Sequence, residues 1–181
     1  GKLGEGAVLP PPEKLGLFLI AFNKSVSDIY SRILKQPVCA INNPLENQIT
    51  PTNRSGKKII TVGLGGHQRL DKGYHHMVGI LSSVMSEPGW ENIRFHIHNS
   101  VPQEAAEIQN LLRRLATYDS RMTLFETPLN GPQWEEFLDS LDLMICPYAP
   151  NAYKKMWSGL AVEAFCRGIP TILPNGSNNS Q

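Results

Sequence analysis

Glu163 carries the most demanding chemistry in this chain. It sits within Trp157-Ser158-Gly159-Leu160-Ala161-Val162-Glu163-Ala164-Phe165-Cys166-Arg167-Gly168-Ile169-Pro170. That run reads as a small-residue turn, a short apolar helix and a glycine stop, followed by a buried strand over 171–173. Ser158 is a helix cap by type; Gly168 ends the helix and Pro170 stands just beyond it. Leu160, Val162, Ala164 and Phe165 predict burial, where an ionised carboxylate must be paired or hydrogen-bonded. A ligand with two hydroxyls is one way to meet that demand, and a backbone or Arg partner inside a core helix is the other. Gly159 stands four positions earlier, on the same face, and leaves the helix entrance open to close approach.

A second cluster of chemical groups follows a strand. Lys58-Ile59-Ile60-Thr61-Val62-Gly63 reads as a strand entering the loop Gly63-Leu64-Gly65-Gly66-His67-Gln68-Arg69-Leu70-Asp71-Lys72-Gly73. Backbone N–H groups of a Gly-rich turn that opens a helix attract anions, and Arg and Lys add full charges. The turn departs from the Gly-x-Gly-x-x-Gly dinucleotide fingerprint, and the acidic residues Glu87 and Glu91 fall in a loop rather than at a strand end. A phosphate cradle is therefore expected, with a Gly-rich turn bearing solvated charges as the competing reading. A third loop, Pro147 to Trp157, joins an apolar strand to the Glu163 helix.

The elements that position these groups alternate regularly from residue 57 onward. Strands are expected over 58–63, 93–98, 122–125, 141–146 and 171–173. Helices are expected over 73–85, 103–117 and 133–138, and after Ser158. Continuously apolar strands alternating with amphipathic helices indicate an α/β fold: a Rossmann-like parallel sheet with helices on both faces. Ligands of such sheets bind beyond the carboxyl ends of the strands, where the strand order reverses. Loops 63–73 and 147–159 both follow strands, so they can face one crevice.

Ahead of this domain, residues 1 to about 13 carry a Pro-Pro-Pro run and read as linker. Residues 15–35 predict a short strand or buried turn and then an amphipathic helix over about 25–34. Pro44 and Pro51 discourage regular structure up to Gly56. The organisation expected is 1–56 as linker and the end of a preceding domain, 57–174 as the Rossmann-like domain, and 175–181 as a truncated polar tail. The missing initiator Met and the polar end point to a fragment of a larger protein.

Composition excludes several function classes. With 181 residues, 41% hydrophobic, 18% charged and a net charge of +1, the chain can bury a core and offers no electrostatic case for nucleic acid. No apolar run is long enough to span a bilayer, and no signal peptide surrounds residues 15–22. The three cysteines, Cys39, Cys146 and Cys166, make neither a zinc motif nor a disulfide framework, which favours a reducing, cytoplasmic setting. The sequons at Asn53 and Asn178 are short enough to arise by chance. His96 and His98 share a strand face and His75-His76 opens a helix, but carboxylate or Cys partners are lacking, so no metal site is expected.

The segment from Trp157 to Pro174 resembles the donor-binding segment of GT-B-fold glycosyltransferases, in particular family 4 and its relatives, and the run from Leu141 to Ala164 resembles bacterial members of that group. There a Ser-Gly or Gly-Leu turn precedes a Glu-Ala pair, and Gly-x-Pro leads into a strand. Asp71-Lys72-Gly73 is similar to the end of that family's Gly-Arg, spacer, acid, Lys-Gly pattern. The resemblance covers about residues 57–174. It implies the donor-binding domain of an enzyme that transfers a hexose-type sugar from a sugar nucleotide to a carbohydrate or glycolipid acceptor, in glycan biosynthesis. Glu163 would hold the ribose hydroxyls, and Lys72 the diphosphate. Arg69 or His67 would supply the second cation, and the pattern does not decide between them. Gly65 and Gly66 belong to the cradle, and Tyr148, Ser158, Gly159 and Leu160 to the donor turn. Thr127 lies in the loop where relatives place the nucleobase. Lys72 and Arg69 would stabilise the departing diphosphate, so neither metal nor cofactor is implied beyond the sugar nucleotide, whose base is unknown.

Two positions depart from that pattern. Met156 stands where one bacterial subgroup has Arg, and Lys155 where many members have the first Glu of a Glu-x7-Glu pair. These departures support an alternative, a degenerate glycosyltransferase-like module that binds without turnover. A GT-B-type epimerase acting on sugar nucleotides is a third reading.

Overall fold

The computed structural model describes residues 19–21, 24–40, 56–100, 105–154 and 156–177. The linker of residues 1–13, most of the 42–56 connector, both sequons, Lys155 and the end of the polar tail lie outside these residues. The chain divides into two compact units, residues 1–46 and 47–181. The boundary expected at 56/57 falls in the same connector.

In the first unit, β1 (Ile20–Ala21) pairs in parallel with β2 (Cys39–Ala40) across α1 (Lys24–Leu34). The helix is close to the one expected from its apolar spacing, whereas β2 carries no sequence signal. The buried Ser27 hydroxyl donates to Val38 O, and Val38 N–H donates to Ser31 Oγ at 3.0 Å. These side-chain bonds return the chain from the helix to the second strand.

The second unit contains a sheet of five parallel strands: β3 (Ile60–Leu64), β4 (Ile93–His98), β5 (Met122–Phe125), β6 (Leu143–Ile145) and β7 (Thr171–Ile172), in the order β5-β4-β3-β6-β7. Its helices are α2 (Met77–Ser86), α3 (Ala106–Tyr118), α4 (Gly131–Asp139), the short α5 (Pro150–Tyr153) and α6 (Gly159–Cys166). Side chains alternate across each strand. Val62, Leu64, Phe95 and Ile97 pack with Met77, Leu81 and Leu112, so α2 and α3 cover one face. Met144 packs with Phe137, Leu138, Leu160 and Ala164, so α4 and α6 cover the other. Gly63 points to this second face, where a Cβ would lie 2.3 Å from Leu141 Cδ1. The expected doubly covered, Rossmann-like sheet is the observed one.

Several boundaries differ from expectation for local reasons. The helix expected from 73 starts at Met77, preceded by 3-10 turns over Leu70–Lys72 and Tyr74–His76. Gly73, at φ 74°, separates those turns. The helix expected over 133–138 extends to Gly131–Asp139, because Asn130 N–H donates to Gln133 Oε1 at 3.3 Å and Pro132 suits a first turn. Loop 147–159 is not wholly irregular, since Pro150 opens α5.

The chain steps from β3 through β4 to β5 in one direction. It then returns to β6, on the other side of β3, and steps on to β7. The order reverses between β3 and β6, which places the switch point of the sheet beneath the loops that follow those two strands. Asp142 joins the starts of the same pair: its Oδ2 accepts from Thr61 N at 2.9 Å, and its Oδ1 from Lys57 Nζ at 2.7 Å.

Candidate functional site

The loop after β3 is shaped by glycine. Gly66 is left-handed at φ 90°, a conformation that costs glycine little. A Cβ there would meet Leu160 Cδ2 at 3.1 Å and Lys72 Nζ at 3.8 Å. The cradle backbone, the Lys72 ammonium and the first turn of α6 therefore converge. The buried Gln68 braces the loop by donating from Nε2 to Gly66 O, at 2.6 Å, and to His98 O.

The loops after β3 and β6 are joined directly. Ala149 N–H donates to Asp71 O at 3.0 Å. Gly73 lies so close to Pro147 that a Cβ would sit 1.6 Å from its carbonyl oxygen. The expectation that the two loops face one crevice thus corresponds to a backbone junction.

Charge in this junction is unevenly answered. Arg69 grips Asp71 through two hydrogen bonds, Nε to Oδ1 at 2.8 Å and Nη2 to Oδ2. That contact holds the Asp71 carboxyl below its ordinary pKa. Lys72 is partly buried, and among the described residues its ammonium makes no hydrogen bond or salt bridge. Burial, and then the nearby Arg69 charge, lower its pKa. The Cys146 thiol, also near Lys72, is pushed up to about 11 by burial. An incompletely solvated ammonium without a salt-bridge partner is suited to an anionic guest.

Across the junction, α6 is capped as its sequence predicts. Ser158 Oγ accepts from Ala161 N at 3.3 Å and shares a hydrogen bond with Tyr148 OH. Tyr148 in turn stacks on Tyr153, with ring centroids 4.2 Å apart and planes 16° apart. Tyr148 and Ser158 are both buried, so they support the helix entrance from beneath. Gly159 is exposed, and a Cβ added there would meet nothing within 4 Å. Glu163 is partly buried, and its carboxylate accepts a hydrogen bond from Trp134 Nε1 at 2.7 Å. The carboxylate thus has a partner, though neither the backbone nor the Arg weighed from sequence.

Of the residues singled out by sequence, Gly65, Gly66, Lys72, Leu160 and Glu163 gather around the switch point. Phe137 and Trp134 bridge Gly65 to the Glu163 side, since a Cβ on Gly65 would lie 3.0 Å and 3.4 Å from their rings. Arg69 is in the same loop but held by Asp71, and His67 is exposed on its surface. Thr127 is exposed beyond β5 and lines a separate cavity of about 340 Å³ with His96, Phe125, Leu129 and Phe137. Neither Gln68 nor Trp134 carries a sequence signal that marks it for this site. Only the three-dimensional contacts single them out. Among the described residues no group of three or more His, Cys, Asp or Glu side chains could hold a metal ion, and no helix is long and apolar enough to cross a membrane.

This is a Rossmann-like domain with a GT-B-like fold, and comparison with solved structures agrees with it. No family model matches the chain, and no curated protein matches its sequence. The chain is similar to Anabaena Alr3699/HepE in complex with UDP, with a TM-score of 0.64 at 15% identity, over 90% of this chain and 46% of that one. It is similar to a mutant of S. aureus TarM in complex with fondaparinux, alpha-GlcNAc-glycerol and UDP, with a TM-score of 0.59 at 12% identity, over 85% of this chain and 29% of that one. HepE in complex with UDP and glucose gives a TM-score of 0.56 at 17% identity, over 85% and 43%. The chain spans less than half the length of each of these proteins.

Proposed function

We propose that this chain is the donor-binding half of a glycosyltransferase that takes a hexose-type sugar from a sugar nucleotide and transfers it to a carbohydrate or glycolipid acceptor. The observation that carries the reading is the Lys72 ammonium. It is partly buried beside Gly66 without a salt bridge among the described residues, and it faces the α6 entrance that leads to Glu163. The bound UDP of the similar HepE and TarM structures gives independent support.

In this reading the donor diphosphate lies over Gly65 and Gly66, against Lys72 and the first turn of α6. Glu163 accepts from the ribose hydroxyls, and the base rests on the loop that contains Thr127. Transfer breaks the bond between the anomeric carbon and the diphosphate oxygen, which leaves with the electron pair. The acceptor oxygen forms the new bond to that carbon, and its proton passes to the departing diphosphate or to water. Lys72 and the loop N–H groups stabilise the charge that grows on the leaving oxygen, so this side of the reaction proceeds without a metal. Arg69 adds charge if its grip on Asp71 loosens, and His67 is the other candidate for that role.

Calorimetric titration with UDP, GDP and ADP tests the proposal. At least one should bind saturably, and Lys72→Ala should weaken it. A folded sample that binds none of them refutes the reading. Binding without donor consumption in the intact protein would instead favour the non-catalytic module.

A further inference from the structure

We infer that Trp134 is a positioning residue: it orients Glu163 so that one carboxylate oxygen stays open to a vicinal diol, which makes the crevice prefer ribose over deoxyribose. The inference rests on the nucleotide-binding reading, because that reading supplies the diol.

The geometry is specific. Trp134 belongs to α4 and Glu163 to α6, the two helices that cover one face of the sheet. The indole Nε1–H donates to Glu163 Oε2 at 2.7 Å. An indole nitrogen can only donate, so this bond takes one acceptor site on Oε2 and does not compete for a hydroxyl proton. Glu163 Oε1 makes no hydrogen bond among the described residues. A carboxylate offers about four acceptor sites, and those left unused suit two neighbouring hydroxyls.

The indole is itself held in place. It stacks on Phe137, with centroids 5.3 Å apart and planes 17° apart, and lies 5.8 Å from the His98 ring. Its far edge abuts Gly65, where a Cβ would lie 3.4 Å from Cη2. The ring is therefore wedged between the cradle loop and the Glu163 helix. A flexible glutamate tethered to such a ring is restrained before a ligand arrives, which lowers the ordering cost on binding.

The test uses the best binder among UDP, GDP and ADP and its 2′-deoxy counterpart, titrated into wild type, Trp134→Phe and Glu163→Gln. Wild type should prefer the ribonucleotide by about tenfold, the scale of a hydrogen bond to a charged group. Trp134→Phe keeps an aromatic ring beside Phe137 and removes the N–H donor, together with part of the indole edge that abuts Gly65. It should leave deoxynucleotide affinity within about twofold and cut the ribose preference at least about threefold. Glu163→Gln should remove most of that preference. If Trp134→Phe is folded and keeps the full wild-type preference, Trp134 merely packs and the inference is wrong.

If Trp134→Phe fails to fold, the wild-type indole N–H resonances give the answer, with Trp134 assigned by elimination from Trp90→Phe and Trp157→Phe. The Trp134 resonance should move with the ribonucleotide and less with the deoxynucleotide, and equal movement overturns the inference. A folded wild type that binds no nucleotide refutes the donor-site proposal. Binding without a ribose preference leaves that proposal standing and rejects the role given to Trp134.

Discussion

The two sides of the crevice are built by different means. The loop after β3 is positively charged and owes its course to backbone conformation: Gly66 and Gly73 are left-handed, and Gly73 meets the Pro147 carbonyl without a side chain between them. The α6 side carries the carboxylate and owes its course to side-chain bonds, from Tyr148 to Ser158 and from Trp134 to Glu163. A backbone-built wall is intolerant of any added atom. A side-chain-built wall can be dismantled one bond at a time, so substitutions on the two sides should fail differently.

Gly73→Ala should produce the largest effect. It forces a side chain into left-handed backbone and into the Pro147 oxygen, so a loss of about 3 kcal/mol or more in a denaturant melt is expected. A near-normal melt would show that the two loops are not joined as described. Lys72→Ala should separate binding from stability. Nucleotide affinity should fall by about 2–3 kcal/mol by calorimetry, while the Tm holds or rises, because an ammonium with a desolvation cost has been removed. A lower Tm with unchanged affinity would make Lys72 structural.

Glu163→Gln preserves shape and can still accept from Trp134. It should weaken nucleotide binding by about 1.5–3 kcal/mol with little change in Tm. Intact affinity in an unfolding domain would reduce Glu163 to an interhelical tie. Ser158→Ala removes the α6 cap and the Tyr148 partner, and should cost about 1 kcal/mol in stability. A Ser158→Thr variant should recover part of that loss, which a purely steric role would not allow.

The smallest effect concerns pH. Burial lowers the pKa of Lys72 from the ordinary 10.5, so the folded state holds its proton less tightly than the unfolded chain. For stability the sign is positive on going alkaline: stability rises with pH between the folded and unfolded pKa values. An anion requires the charged form, so nucleotide affinity should be flat near neutrality and fall before pH 10.5, the ordinary lysine value. Affinity in Lys72→Ala should lack that fall, as titration at several pH values would reveal.

The parallel sheet was legible because its signals are local and repeated. The strands at 93–98 and 122–125 match their apolar runs, and α6 begins and ends where Ser158, Gly168 and Pro170 mark it. The strand Cys39–Ala40 was not legible, because two residues set no period and its pairing depends on the distant Ile20–Ala21. At the candidate site, residue type and spacing singled out Lys72 and Glu163. They could not show that Asp71 would answer Arg69 and leave Lys72 without a salt bridge. Nor could they show that Trp134 would reach Glu163, since those residues lie on helices separated in sequence and joined only by the fold.

Calorimetric titration of the folded wild-type chain with UDP, GDP and ADP tests the central claim most directly. The account predicts saturable binding of at least one, driven by the diphosphate and weakened when Lys72 is replaced by Ala. Absence of binding by all three would contradict it.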